Sequence, residues 1–391
     1  MLISSEDSFL KLSRGVIRDL SRVYGSLTDE IIRRLHTPPK RLYARVNTLR
    51  ASRSDIIAKL KREGVMAYPD EQVEDAIYFE IEGPFRVECQ ATGRVVVDSR
   101  TAVSLMLGAN LYRPGVVWAA RFNKGDIVLA VTRENIVVAC VEMTISYSEM
   151  LRTSRGLVGV NVASPYKAPK LAETSVYLEG LIHPQSLPSI VTSHVLNPRR
   201  GELIVDMNAA PGGKTSHIIQ LTRGGALVVA FDRSIGKIKM LQSTLSKLHL
   251  DLNVITVPWD SRYLHVDFNL RGKVSRVLID PPCSNLGVRP LVESKKWRDV
   301  VNLSEYQKQF LKTARELLKP GGVLVYSTCT LTLRENEENI AYAVEELGFN
   351  SVEPAITVPY AEKISYRGVV AYRYSPLLHD MPGYFIALLQ K

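Results

Sequence analysis

Long apolar runs are what this chain most lacks. Nowhere in its 391 residues is a stretch long enough to cross a bilayer. The N-terminal MLISSEDSFLKL has no basic region followed by an apolar core, so no secretion signal is read there. A cytoplasmic protein with no membrane partner is the expectation. Cysteine is scarce as well: Cys89, Cys140, Cys283 and Cys329 are the four present, with no CxxC pair, too few for a disulfide framework. The seven histidines are scattered without zinc-ligand spacing, so no metal is expected.

Hydrophobic residues make up 46% of the chain and charged residues 23%, ample for a core, and the length calls for two or three domains. The net charge of +10 favours a polyanionic partner through phosphate contact and counterion release.

Residues 1–91 read as a small α+β domain. Phe9, Leu12, Val16, Ile17, Leu20 and Val23 recur at helical spacing, with Ser4 or Ser5 as candidate caps. RLYARVNTL and AIYFEIEG read as strands around the helix SRSDIIAKLKREG, which Gly64 closes. Arg41, Arg45 and Arg50 near the first strand are either phosphate contacts or solvated charges, with Arg45 the RNA-binding candidate carried forward.

In residues 92–166 the short apolar runs RVVVDS, GVVWAA, DIVLAVT, IVVACVEMTI and GLVGVNV alternate with turn residues, the spacing of a small barrel. SPYKAPKLAE (164–173) suits a linker. Residues 167–391 alternate strands with amphipathic helices, and the strands are apolar throughout. That pattern is α/β, a Rossmann-like doubly wound and mainly parallel sheet, whose ligands sit beyond the carboxyl ends of its strands.

The residues at those ends carry the chemistry. After the strand ELIVDM comes NAAPGGKT (Asn208–Thr215), where glycines and free amides at a helix start suit a polar or anionic group. Two readings compete. GKT ends a Walker A loop, and VLID ending at Asp280 imitates a Walker B strand, but Asn208 replaces the first glycine and Pro211 sits inside the loop. The other reading notes acids ending three successive strands: Asp206, Asp232 and Asp260. An acid at Asp232 can take both hydroxyls of a ribose, and Asp260 is placed for an adenine amino group, so the set fits S-adenosylmethionine. Any one of these acids alone is also a helix cap.

The fourth strand ends in DPPCSN (Asp280–Asn285) and the fifth in STCT (Ser327–Thr330), facing one crevice with two thiols and a carboxylate. Buried cysteine is ordinarily packing. Here each thiol follows its strand's apolar stretch, where the chain turns outward. Methylation of a pyrimidine at carbon 5 uses such a set, because a thiolate adding to carbon 6 makes carbon 5 nucleophilic.

DMNAAPGGKT, FD at 231–232, WD at 259–260, DPPCSNLGVRP, KPGGVLVYSTCTLTLRENEENI and DMPGYFIALLQK resemble the NOL/NOP/Sun family of RNA 5-methylcytosine methyltransferases, and RVNTLRAS is similar to that family's N-terminal region. GANLYRPGVV (Gly108–Val117) resembles the loop of a PUA domain, an RNA-binding pseudo-barrel, with Tyr112 and Arg113 as RNA-binding candidates. The resemblance covers nearly the whole chain. The PUA-like insert is similar to the branch that methylates cytosine 72 of tRNA, near the CCA end. It implies Cys329 as nucleophile and Cys283 as the second cysteine, for proton removal or product release. It further implies Asp280 at the edge of the cytosine, Asp232 on the ribose and Asp260 on the adenine. Ala209, Ala210, Pro211, Gly212, Gly213 and Lys214 hold the methionine end, with Lys214 also near the base, and Asp206 and Lys237 complete the cofactor set. The family usually has cysteine at Asn208 and glycine at Asn285, departures that touch loop geometry. Cys89 and Cys140 read as structural, and RENEEN (334–339) as the solvated start of a helix. The expected partner is tRNA at its acceptor stem, bound by a monomer; ribosomal RNA, or a noncatalytic RNA-binding or P-loop protein, are the alternatives.

Overall fold

The computed structural model describes residues 12–391. Strands β1 (Arg41–Val46), β2 (Tyr68–Pro69) and β3 (Ala76–Glu80) come first, and β4 (Gly93–Val97) to β9 (Leu157–Ala163) follow, with β5 at Leu111–Tyr112, β6 at Val116–Ala119, β7 at Ile127–Val131 and β8 at Val137–Met143. Next are β10 (Ile182–Pro184), β11 (Leu203–Asp206), β12 (Leu227–Asp232), β13 (Val254–Pro258), β14 (Val274–Ile279) and β15 (Leu318–Thr328). The chain closes with β16 (Asn350–Ser351), β17 (Glu362–Tyr366), β18 (Val369–Tyr374) and β19 (Tyr384–Gln390). Among the described residues, no helix is long and apolar enough to cross a membrane.

The chain forms two compact units. One holds the described residues up to Ser13 together with Phe79–Lys170 and Pro290–Lys295. Its six-stranded sheet runs β5-β9-β8-β7-β4-β6 around a core that includes Val95, Leu105, Ala130 and Val141. Gly115, in the loop read as PUA-like, lies so close to Thr101 that a Cβ there would fall 2.0 Å from its Oγ1; only glycine fits. The helix Ser99–Met106, capped by Asp98, was not read from the sequence, because its polar and apolar residues do not separate cleanly. Cys89 and Cys140, read as structural in a chain with too few cysteines for a disulfide framework, form a disulfide with each other. Cys89 lies in irregular chain rather than a strand, and a partner 51 residues away leaves no spacing signal.

The other unit holds Arg14–Tyr78, Leu171–Arg289 and Lys296–Lys391. Its first helix begins at Arg14; Ser4, Ser5 and Phe9 lie outside the described residues, and Leu12 forms an isolated bridge rather than a helical turn. The helix Arg53–Arg62 is capped as expected, Ser52 Oγ accepting from the Asp55 amide. Strands β10, β1, β3 and β2 form a small sheet in that order. Arg45 of β1 corrects a site assignment. It is 1% exposed, and its guanidinium is spent on Gln220 Oε1 and Ser216 Oγ, each at 2.7 Å, so it cannot touch a phosphate.

The main sheet runs β13-β12-β11-β14-β15-β19-β18-β17, with β16 on the side of β19. The first five strands are parallel, and β15, β19, β18 and β17 pair antiparallel. Apolar clusters cover both faces, one including Ile204, Val228 and Val325, the other Val205, Val277 and Leu324. Chain order reverses between β11 and β14, the place where such sheets open a crevice. Register aligns the ends there: Asp206 sits opposite Ala230 and Leu278, and Ile279 opposite Tyr326. The loops after β11, β14 and β15 therefore meet.

Candidate active site

The loop after β11 is organised from beneath by a buried acid. Asp206 is 1% exposed; its Oδ2 accepts from Thr215 Oγ1 at 2.7 Å, and its Oδ1 from the Asn208 amide at 3.3 Å. Burial pushes this carboxyl up to about 7 against those two bonds. Asp206 thus pins both ends of the loop. Gly212 turns the chain into the helix Gly213–Leu221 at φ +112°, and a Cβ there would meet Leu241 at 2.9 Å. The next residue but one, Lys214, sends its Nζ to Asp280 Oδ2 at 2.5 Å. Burial alone would push the ammonium pKa down, but Asp280 and Tyr384 override it and hold the charge. A P-loop lysine must be free for phosphates; this one is committed to the carboxylate beside the thiols.

Asp280 also accepts from Ser327 Oγ at 3.3 Å, linking the ends of β14 and β15. Beyond them Cys283 Sγ and Cys329 Sγ stand 3.3 Å apart, and Asn285 Oδ1 lies 3.0 Å from Cys329 Sγ and 3.5 Å from Cys283 Sγ. The Cys283 thiol is pushed up by its hydrogen bond to Cys329, by burial, and by the charge of Glu335. The sequence brings these groups together as expected, and the structure adds what holds them.

That holder is Glu335. It is fully buried and accepts from the Ser284 amide at 2.8 Å, Ser284 Oγ at 2.6 Å, Thr332 Oγ1 at 2.8 Å, Gln307 Nε2 at 3.1 Å and Thr330 Oγ1 at 3.4 Å. Ser284 follows Cys283 and Thr330 follows Cys329, so one carboxylate ties both thiol loops. Asn336, Glu337 and Asn339 are buried as well, Glu337 against Arg373. This corrects the reading of RENEEN as a solvated helix start. The signal was there: two asparagines within an acidic run are poor solvated-helix formers but good partners for buried backbone.

A cleft of about 310 Å³ joins the thiols to the cofactor candidates, lined among others by Asn208, Ala210, Asp232, Lys237, Asp260, Asp280, Asn285 and both cysteines. Asp232 Oδ2 accepts from the Ala210 amide at 3.2 Å, and Lys237 Nζ reaches Oδ1 at 3.1 Å. Asp260 is gripped by Arg262, whose Nη2 lies 2.5 Å from Oδ2 and whose Nε lies 2.9 Å from Oδ1; that pairing holds its carboxyl below the usual range. Tyr306 and Phe310 also line the cleft and were not read from the sequence, since on the helix Trp297–Leu317 they look like core positions. Pro211, Gly213 and Lys214 line a neighbouring hollow of about 200 Å³ with Gln185 and Asp280. In the other unit, Tyr112 is 53% exposed, whereas Arg113 is braced on the carbonyls of Met150 at 3.0 Å and Val116 at 3.3 Å.

The residues fit a nucleoside bearing a positive centre. Three carboxylates, Asp232, Asp260 and Asp280, line the cleft, the rings of Tyr306 and Phe310 add apolar surface, and Asn208 Oδ1 is buried without a hydrogen-bond partner among the described residues. Strand order and cleft together define an S-adenosylmethionine-dependent methyltransferase. The sequence model of the 16S rRNA methyltransferase RsmB/F family matches residues 193–390, that of the RsmF/B-like ferredoxin-like domain residues 16–87, and that of the PUA domain residues 93–163. The tRNA (cytosine(72)-C(5))-methyltransferase of Pyrococcus horikoshii is 36% identical over 93% of this chain and 92% of its own length. The human tRNA (cytosine(72)-C(5))-methyltransferase NSUN6 is 30% identical over 83% of this chain and 76% of its own length. The crystal structure of NSun6 from Pyrococcus horikoshii with SFG superposes with a TM-score of 0.86 at 33% identity, over 97% of this chain and 98% of that one. The chain belongs to the RsmB/F, or NOL/NOP/Sun, family of RNA methyltransferases.

Proposed function

We propose that this enzyme methylates carbon 5 of a cytosine in tRNA, at position 72 of the acceptor stem, with Cys329 as nucleophile. The observation that carries the reading is the meeting of the two thiols, 3.3 Å apart, with the Lys214–Asp280 pair in one crevice. Similarity to cytosine-72 tRNA methyltransferases, over 93% of this chain for the Pyrococcus horikoshii enzyme and 83% for the human one, supports the substrate. Residues 1–91 and 92–166 take the RNA contacts, Tyr112 among them, and residues 167–391 the chemistry. The protein acts as a cytoplasmic monomer without metal, and the barrel lies toward the CCA end.

Cys329, as thiolate, adds to carbon 6 of the flipped-out cytosine, and the electron pair of the 5,6 double bond moves toward carbon 5 and the ring. Lys214 donates to the ring's acceptor edge and stabilises that charge; Asp280 accepts from the exocyclic amine and orients the base. S-adenosylmethionine, when bound, supplies the electrophilic methyl that carbon 5 takes. Asp232 would bind its ribose hydroxyls, Asp260 its adenine amine and the loop from Ala209 to Lys214 its methionine end, with Asp206 and Lys237 completing the set. Cys283 then takes part in removing the proton at carbon 5 or in releasing product, as the Cys329–carbon 6 bond breaks and the double bond returns.

Incubation with labelled S-adenosylmethionine and total RNA, followed by bisulfite mapping, tests this. Label confined to tRNA with a single protected cytosine at position 72 is expected; label in ribosomal RNA would reassign the substrate, and no transfer would sink the reading.

A further inference from the structure

Asn285 belongs to the thiol pair by geometry, although nothing in the chemistry above uses it. Its backbone sits at φ +56°, a left-handed conformation that asparagine tolerates and that turns the side chain back over the loop. The turn is fixed on both sides: Val288 N donates to Asn285 O at 3.1 Å, and Gly287 N to Cys329 O at 3.0 Å. The amide is thereby held against both sulfurs, with Oδ1 3.0 Å from Cys329 Sγ and 3.5 Å from Cys283 Sγ.

The charges around the pair say what such an amide is for. Asp280 is compensated by Lys214 from the helix Gly213–Leu221. Among the described residues Glu335 has no cationic partner: its donors are Ser284, Thr330, Thr332 and Gln307, all neutral. A thiolate formed at Cys329 has one sulfur neighbour, Cys283 at 3.3 Å, whose S–H is only a weak donor, and Glu335 is anchored through Ser284 and Thr330 to both thiol loops. Stabilising it calls for a donor. The terminal torsion of asparagine is soft and two-fold, so a half-turn exchanges Oδ1 for Nδ2 at the same point in space.

We propose that Asn285 is a positioning residue for the nucleophile, accepting the Cys329 S–H at rest and donating its Nδ2–H to the thiolate after a half-turn of the amide. The inference rests on Cys329 being the nucleophile. Because an N–H to thiolate bond is charge-assisted and a thiol is a weak donor, the second arrangement is the stronger, and the amide favours thiolate. The effect on Cys283 is smaller, since that sulfur is further from Oδ1 and already bonded to Cys329.

The test is the pH profile of iodoacetamide labelling at Cys329, read by peptide mass mapping on the full chain. Asn285→Gly leaves the backbone unstrained, because glycine accepts φ +56°. Its labelling midpoint is expected to move up by about half a unit to one unit, and kcat at neutral pH to fall roughly three- to tenfold, the change in thiolate fraction that such a shift gives. Asn285→Asp removes the donor and adds a negative charge, so its midpoint moves further up. A glycine variant whose midpoint equals or lies below that of the wild type overturns the proposal. Methyl transfer by Cys329→Ala would instead overturn the nucleophile assignment itself, so the two failures are distinct.

Discussion

Cys329 Sγ and Cys283 Sγ face each other at 3.3 Å from the ends of two neighbouring parallel strands. The strands make the closeness durable: Ile279 of β14 pairs with Tyr326 of β15, so the two loops leave the sheet side by side. Cys329 is the proposed nucleophile and Cys283 its partner. Cys329→Ala is expected to abolish methyl transfer while cofactor binding, measured by calorimetry, stays within about twofold. Cys283→Ala is expected to leave the enzyme covalently attached to RNA, seen as a retarded band on a denaturing gel. A variant that turns over freely would reduce Cys283 to packing.

Glu335 is the support on which that alignment depends. Glu335→Ala strands five hydrogen-bond donors and should cost about 3 kcal/mol or more of stability in denaturant unfolding. Glu335→Gln keeps an acceptor for the Ser284 amide, and the hydroxyls can rotate to accept, so its loss should be less than half as large. Equal losses would mean that charge rather than bonding is what matters.

Much of this arrangement was legible in the sequence because it depends on strand ends. Asp206, Asp232, Asp280 and Cys329 each follow an apolar run, and a parallel sheet aligns such ends automatically. What was not legible depends on pairing over distance. Arg45 looked like a surface cation because nothing nearby in sequence marks Gln220 and Ser216 as its partners. Glu335 looked solvated because an acidic run normally is, and its donors come from residues up to 51 positions away. The Cys89–Cys140 bond was missed for the same reason. The hairpin β17–β18 escaped because its strands mix charged and apolar residues without strict alternation.

Acid should expose the joint between the small sheet and the main one. His217 is fully buried, with Nε2 2.7 Å from Asp75 Oδ2, and His194 Nε2 lies 2.9 Å from Asp75 Oδ1. Burial, with help from Arg45, pushes His217 down to about 3, against the pull of Asp75. A histidine whose folded pKa lies below its unfolded value of about 6.5 gains its proton on unfolding. Its stabilisation is therefore complete above that pH and lost as pH falls toward 3. Asp19 and Asp206, held up at about 6 and about 7, act in the opposite sense over part of this range, so the comparison must be between proteins. His217→Gln keeps a donor for Asp75 without titrating. The wild type should lose up to about 1.4 kcal/mol per pH unit more than this variant between pH 6.5 and 3. Parallel curves would contradict the buried neutral imidazole.

Asp232 separates cofactor from substrate. Asp232→Asn keeps the shape and one acceptor but loses the charge that binds Lys237 and faces the cleft. It should raise KM for S-adenosylmethionine roughly tenfold or more, the size of one charge-assisted hydrogen bond, and leave KM for RNA unchanged. A rise in the RNA constant instead would place the ribose elsewhere.

The central claim is that Cys329 forms a bond to carbon 6 of the target cytosine. It is tested most directly by incubating the enzyme and S-adenosylmethionine with tRNA carrying 5-fluorocytosine at position 72, where fluorine blocks the final elimination. A stable adduct whose digested peptide carries the nucleotide on Cys329 is the predicted result; an adduct on Cys283, or none with the enzyme active on unmodified tRNA, would contradict it.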